Sequence, residues 1–268
     1  MKLNLIIGLL LVILLGGAAA IGAAWTPYNP MQLDMLNRLS PPSPAHWLGT
    51  DEFGRDVLSR LMTGATTSIG IAVTTVLLAV SVGMIVGLVS GSLRGWTDRG
   101  LMAVTDALLA FPGILLALAL IVILGAGSTG IILALALAYL PAVIRIVRSA
   151  VLSIREKEYV EASKVIGNSQ AYTMFVHILP NCLAPISVVA TSMFGWVILA
   201  ESALSFLGLG VAPPAPTWGN MLSASQPYFE RALWLSLAPG ACIALALLAT
   251  NLIGDALRDR FDPRRLQA

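Results

Sequence analysis

"TTSIGIAVTTVLLAVSVGMIVGLVSG", residues 66–91, runs without a single charged side chain. About 20 mostly apolar helical residues cross the hydrocarbon core of a bilayer. This stretch has that length. Three of its glycines, Gly83, Gly87 and Gly91, recur every fourth residue. Small residues at that spacing form a smooth stripe on one helix face, which a second helix can approach closely.

The rest of the chain agrees with a membrane setting. Hydrophobic residues make up 57% of the 268 residues and charged residues 11%, against about 25% charged in ordinary soluble domains. Further apolar runs cover about 4–24, 101–124, 129–148, 181–201 and 235–254. With 66–91 they predict an all-α membrane protein of six transmembrane helices. Residues 1–25 form the first helix and 26–65 an extracytoplasmic loop. Residues 66–268 form a five-helix core that includes a polar loop at 150–180. Lys2, the following apolar run and Ala18-Ala19-Ala20 also fit a signal peptide with a small-residue cleavage site. The length of the run favours a retained helix.

Basic residues orient the chain. With the N-terminus inside, twelve of the 16 Lys and Arg fall on inside segments: Lys2, Arg94, Arg99, Arg145, Arg148, Arg155, Lys157, Lys164, Arg258, Arg260, Arg264 and Arg265. The positive-inside rule then places both termini in the cytoplasm of a multi-pass protein. A net charge of +2 gives no reason to expect nucleic acid as a partner; membrane lipid is the partner that the composition demands.

The outer segments are Pro-rich and aromatic. Val57, Leu58, Leu61 and Met62, opposite Arg55, Asp56, Ser59 and Arg60, predict a short amphipathic helix lying at the outer membrane surface. Residues 202–234 read either as a re-entrant or surface cap or as an ordered loop. Pro112 and Pro141 each remove a backbone donor within an apolar run and are expected to bend it.

Charges at membrane depth are functional candidates by default. Asp106 and Glu201 are candidate pathway or gating residues; together with Asp255 they lie near interfaces, where capping or pairing, as of Asp255 with Arg258, is the alternative reading. No Asp, Glu and His chain crosses the bilayer, which speaks against a proton relay. Cys182 and Cys242 have no metal-ligand spacing, and no metal site is expected. No nucleotide-binding or hydrolase motif is present, so no catalytic residue is expected and the chain is not read as an enzyme.

The polar stretch "EYVEASKVIGNSQAYTMFVHILPN", residues 158–181, interrupts this pattern. Good helix formers run to Ile166. Gly167 can end the helix in a left-handed turn, Asn168 or Ser169 can cap the next, and Pro180 marks re-entry into the membrane. Two short helices joined by a bend are expected, with Val160, Ala162, Ser163 and Ile166 forming a small docking face.

At these residues the chain resembles the permease subunits of binding-protein-dependent ABC importers, whose cytoplasmic loop carries EAA-x3-G-x9-I-x-L-P. Glu161, Ala162, Ser163, Gly167, Leu179 and Pro180 stand at matching positions. Ser163 replaces an Ala, and His177 replaces the Ile. "HWLGTDEFGRDVLSRL", "DALLAFPGILLAL", "SFLGLGVAPPAPTWGNML" and "NLIGDALRDRFDPR" extend the likeness over residues 46–264, to the second permease type of the dipeptide, oligopeptide and nickel branch.

The resemblance implies a bacterial inner-membrane subunit that forms half of a pathway with a second permease. It implies two ATPases docked on the loop, with ATP and Mg in those partners and no cofactor in this chain, and an extracytoplasmic solute-binding protein. Access would alternate on ATP-driven closure. The implied solute is a di- or oligopeptide, favoured over free or chelated nickel. The alternatives are an ATPase-independent secondary transporter or channel, which would call for inverted repeats or ionisable residues at the midplane, and a membrane anchor or scaffold.

Overall fold

The computed structural model describes residues 2–93 and 95–261. Arg94, Arg264 and Arg265 of the charge count lie outside the described residues, as does the Lys2 side chain. Ten α-helices are described: α1 (Lys2–Ala24), α2 (Val57–Leu93), α3 (Gly95–Leu109), α4 (Gly113–Leu124), α5 (Ser128–Ile154), α6 (Glu158–Val165), α7 (Gln170–Thr173), α8 (Leu179–Phe206), α9 (Trp218–Ser225) and α10 (Trp234–Phe261). No strand occurs among the described residues.

Five helical stretches are long and apolar enough to cross a membrane: α1, α2, α5, α10 and the run Gln170–Phe206 that contains α7 and α8. A sixth crossing exists if α3 and α4 count as one span, and these two meet at 93°. The single helix expected over 101–124 is therefore corrected to a broken pair. Pro112 has no N–H and disfavours helical backbone at Phe111, and Gly113 follows it. Pro141 instead lies buried within α5, and the helix continues through it.

The tightest packing joins α2 to α5 along the glycine stripe. A methyl group added at Gly83, Gly87 or Gly91 would come within 2.6, 2.7 and 2.7 Å of the Val143, Val147 and Val151 side chains respectively. The valines share the four-residue spacing, so two straight ridges run in register. The α1 helix packs on α2 and α10: the Thr66 hydroxyl donates to the Ala19 carbonyl at 2.6 Å, and Gly8 lies against Ile253.

The expected separate surface helix at 57–64 is also corrected. Those residues are helical, but they are the first turns of α2, because no breaker separates them from the span. The polar face expected in water is largely buried: Ser59 is 0% and Arg60 7% exposed, and Asp56 just ahead is 3% exposed. The preceding loop folds over them. Asp56 caps α2 by accepting from the Ser59 amide at 2.8 Å and pairs with His46 at 2.9 Å. Asp51 takes Arg55 at 2.7 Å and Arg60 at 3.4 Å.

Candidate functional site

The polar loop emerges from α5 and is assembled by local rules. Glu158 and Glu161 occupy the first turn of α6 and Lys164 the last, matching the helix dipole at each end. The helix ends in a Schellman turn: the Gly167 amide donates to the Lys164 carbonyl at 3.0 Å and the Asn168 amide to the Ser163 carbonyl at 3.2 Å. That turn needs a left-handed residue, and Gly167 supplies it at φ +92°. Ser169 then caps α7 by accepting from the Tyr172 amide at 3.2 Å.

The bend at Gly167 is where the sequence places it, but α7 is not an isolated helix. A π-helical turn, Met174–Ile178, carries it directly into α8. Pro180 sits in the first turn of α8, where its missing N–H costs little. His177 lies in the π turn, its ring 6.1 Å from that of Tyr159 and 5.9 Å from that of Tyr172. His177, one of the two departures from the family pattern, thus packs edge-on against one aromatic ring from each short helix.

The expected docking face needs correction. Val160 is 0% and Ser163 4% exposed, both turned into the protein. Ser163 Oγ meets Thr173 Oγ1 at 3.2 Å and accepts from Asn168 Nδ2 at 3.1 Å, so it ties α6 to α7 from inside. Glu161, Ala162, Val165 and Ile166 are among the residues that face outward, with Glu158, Tyr159 and Lys164. Val165 and Ile166 are 87% and 80% exposed. Leu179 is half-buried and Pro180 exposed at the head of α8.

The loop is also fastened to the end of α2. An Arg155 guanidinium N–H donates to the Gly91 carbonyl at 2.9 Å, and Gln170 Nε2 donates to the Ser92 carbonyl at 3.3 Å. These ties, like Thr173, carried no sequence signal, because each partner is distant along the chain.

Asp106 is exposed and pairs with Arg145 at 2.6 Å. A few turns away, Asp98 of α3 takes Arg148 in a bidentate pair at 2.6 and 2.7 Å, so two α3–α5 bridges brace the broken span. Asp255 is exposed and, among the described residues, forms no ion pair with Arg258.

Glu201 is not at a wet interface. It is 1% exposed, accepts from the Ser205 hydroxyl at 2.8 Å, and has Thr217 and Ser68 as further polar neighbours. Beside it, Trp218 is fully buried, its amide donating to Ser68 Oγ at 3.1 Å and its indole to the Leu61 carbonyl at 3.2 Å. Of the two readings left open for 202–234, the structure favours a cap: α9 is seated on α8 and α10, with Trp218 reaching α2, at the end opposite α6.

Residues 83–267 match the family model of the "binding-protein-dependent transport system inner membrane component". The chain belongs to this family, the membrane-spanning permease subunits of ABC importers. It is 43% identical to a di/tripeptide transport system permease protein of Pseudomonas aeruginosa, over 96% of this chain and 88% of the relative. It is 42% identical to a dipeptide transport system permease protein of Alkalihalophilus pseudofirmus, over 97% and 85%. A putative peptide transport system permease protein of Brucella suis is 43% identical over 96% and 87%. Among solved structures, the MetNI methionine ABC transporter in inward-facing conformations matches with a TM-score of 0.62 at 18% identity, over 76% of this chain and 97% of that one. An amino acid ABC transporter matches with a TM-score of 0.59 at 16% identity, over 75% and 94%.

Proposed function

We propose that this permease passes di- or oligopeptides, and that α6 is the element on which an ATPase subunit pushes. The observation that carries the second point is the outward face of α6. Val165 and Ile166 are almost fully exposed at the end of a helix fixed by the Gly167 turn, on a chain whose family works with partner subunits. Apolar side chains in that position fit a groove in another protein. Ala162 permits close approach, Glu161 orients the helix on the ATPase, and Ser163 keeps α6 and α7 moving as one piece. Leu179 and Pro180 start the helix that receives the movement. The ATP and Mg belong to the partner.

Peptide is favoured over nickel as the solute, supported by relatives that are named as peptide, di/tripeptide and dipeptide transport permeases. The orientation with α6 in the cytoplasm is supported by Arg145, Arg148, Arg155, Lys157, Lys164, Arg258 and Arg260 gathering toward one end. Two such permeases, this one and a second type, would enclose the pathway, and rigid-body rocking would alternate its access. An extracytoplasmic binding protein would deliver the solute. Gly167→Val forces a β-branched residue into left-handed backbone, and Glu161→Lys reverses a charge beside the contact. Each is expected to abolish peptide uptake and ATPase co-purification while the chain stays in the membrane. Normal uptake with normal ATPase association in both variants would overturn the proposal.

A further inference from the structure

A groove of about 620 Å³ opens between the end of α5, the start of α8 and the end of α10. Lys157, Tyr159, Asn181 and Arg258 stand at its polar end; Ile146, Ile154 and Val188 are among its apolar walls. Among the described residues, no acidic side chain lines it. Lys157 and Arg258 are exposed and, among the described residues, neither joins an ion pair.

The groove has amphiphilic depth. Asn181 lies in the first turn of α8, and Val188 is seven residues further on, about 10 Å deeper at 1.5 Å per residue. Ile154 ends α5, and Ile146 is about 12 Å below it by the same rise. Basic residues meet at the helix ends, where headgroups sit, and aliphatic walls run down from them into the hydrocarbon. A helix of another subunit would cover the walls, but would need acidic residues of its own at the rim to meet the two cations. A short peptide would match the cations but not the apolar depth. A phosphate with two acyl chains satisfies both ends, and basic pockets between helix ends bind such headgroups.

We propose that this groove holds an anionic glycerophospholipid, its phosphate and glycerol headgroup on Lys157 and Arg258 and its upper acyl carbons against Ile146 and Val188. The test uses the intact importer, purified with its partners in mild detergent and offered phosphatidylglycerol and phosphatidylethanolamine in turn, with retained lipid read by native mass spectrometry. The wild type is expected to retain phosphatidylglycerol in preference. Lys157→Ala with Arg258→Ala is expected to lower its retention about 30-fold, from roughly one tenfold step and a half for two basic groups, and to leave phosphatidylethanolamine unchanged. Val188→Trp fills the groove with both charges intact and is expected to displace phosphatidylglycerol too, which diffuse surface charge would not explain. Equal retention of the two lipids by the wild type overturns the proposal, and this comparison decides even if a variant fails to assemble. So does undiminished phosphatidylglycerol on the double variant, or crosslinking of Val188→Cys to the second permease subunit.

Discussion

Gly87→Ala is the smallest change that tests how α2 and α5 are held. The added methyl would lie 2.7 Å from Val147 Cβ, 2.8 Å from its Cγ1 and 2.9 Å from the Ile144 carbonyl oxygen. Non-bonded carbons rest about 3.5–4.0 Å apart, so the helices must separate by about 1 Å. The clash is against a Cβ and a backbone oxygen, so no rotamer change relieves it. Separation at Gly87 also loosens the Gly83–Val143 and Gly91–Val151 contacts above and below. Overpacking costs about 1–3 kcal/mol, and this rigid geometry belongs in the upper half of that range. Gly70→Ala is the control on the same helix: nothing lies within 4 Å of its added methyl, and it is expected to be neutral or to gain up to about 1 kcal/mol from helix propensity. Unfolding of the purified importer by sodium dodecyl sulfate should rank Gly87→Ala well below wild type and Gly70→Ala at or above it. Val147→Gly should cost less in the Gly87→Ala background than in the wild type, because the added methyl occupies part of the space it vacates. Identical midpoints for Gly87→Ala and Gly70→Ala would refute the close-packed ridge.

Trp218→Ala empties a fully buried site and removes the indole bond to Leu61; a loss of about 3–5 kcal/mol is expected in the same unfolding assay, with Trp218→Phe losing less. Asp106→Asn breaks a pair whose side chains are 59% and 58% exposed, so its thermal stability should fall by less than about 1 kcal/mol. Burial, then the neighbouring Asp51, pushes the Glu52 carboxyl above its ordinary 4.5, against the pull of Arg55. A carboxyl raised in this way holds its full contribution below the unfolded value and loses it as pH rises through the folded one. Glu52→Gln should therefore gain stability over wild type at about pH 7, and the gain should vanish toward about pH 4, read as thermal unfolding at the two pH values.

Local signals were legible in the sequence. The glycine repeat needed only a helix to become a stripe, and Gly167 announced a left-handed turn. Signals that depend on what packs nearby were not legible. Pro112 and Pro141 look alike in sequence; one ends a helix before Gly113, the other is held inside packed α5. The polar residues at 55–60 have the periodicity of a wet surface, yet a folded loop supplies their partners and buries most of them. Val160 and Ser163 share α6 with Ala162 and Val165, but the first two are turned into the protein, Ser163 against Thr173 of α7, and the others are left in the open. Glu201 lies toward the end of an apolar run, and only the seating of α9 shows that it is enclosed.

The π-helical turn at Met174–Ile178 has a consequence for chain length rather than for residue type. Such a turn accommodates one residue more than an α-helix would. Removing a single residue there, Val176 for instance, would let regular helix run from Gln170 into α8 with the flanking turns in nearly their present register. Adding a residue would exceed what the bulge absorbs: everything upstream would rotate by about 100° around the α8 axis and shift by about 1.5 Å. Val165 and Ile166 would keep their sequence and their exposure, and point somewhere else. The aim of α6 is thus fixed by counting: this stretch should tolerate the loss of its extra residue better than the gain of another.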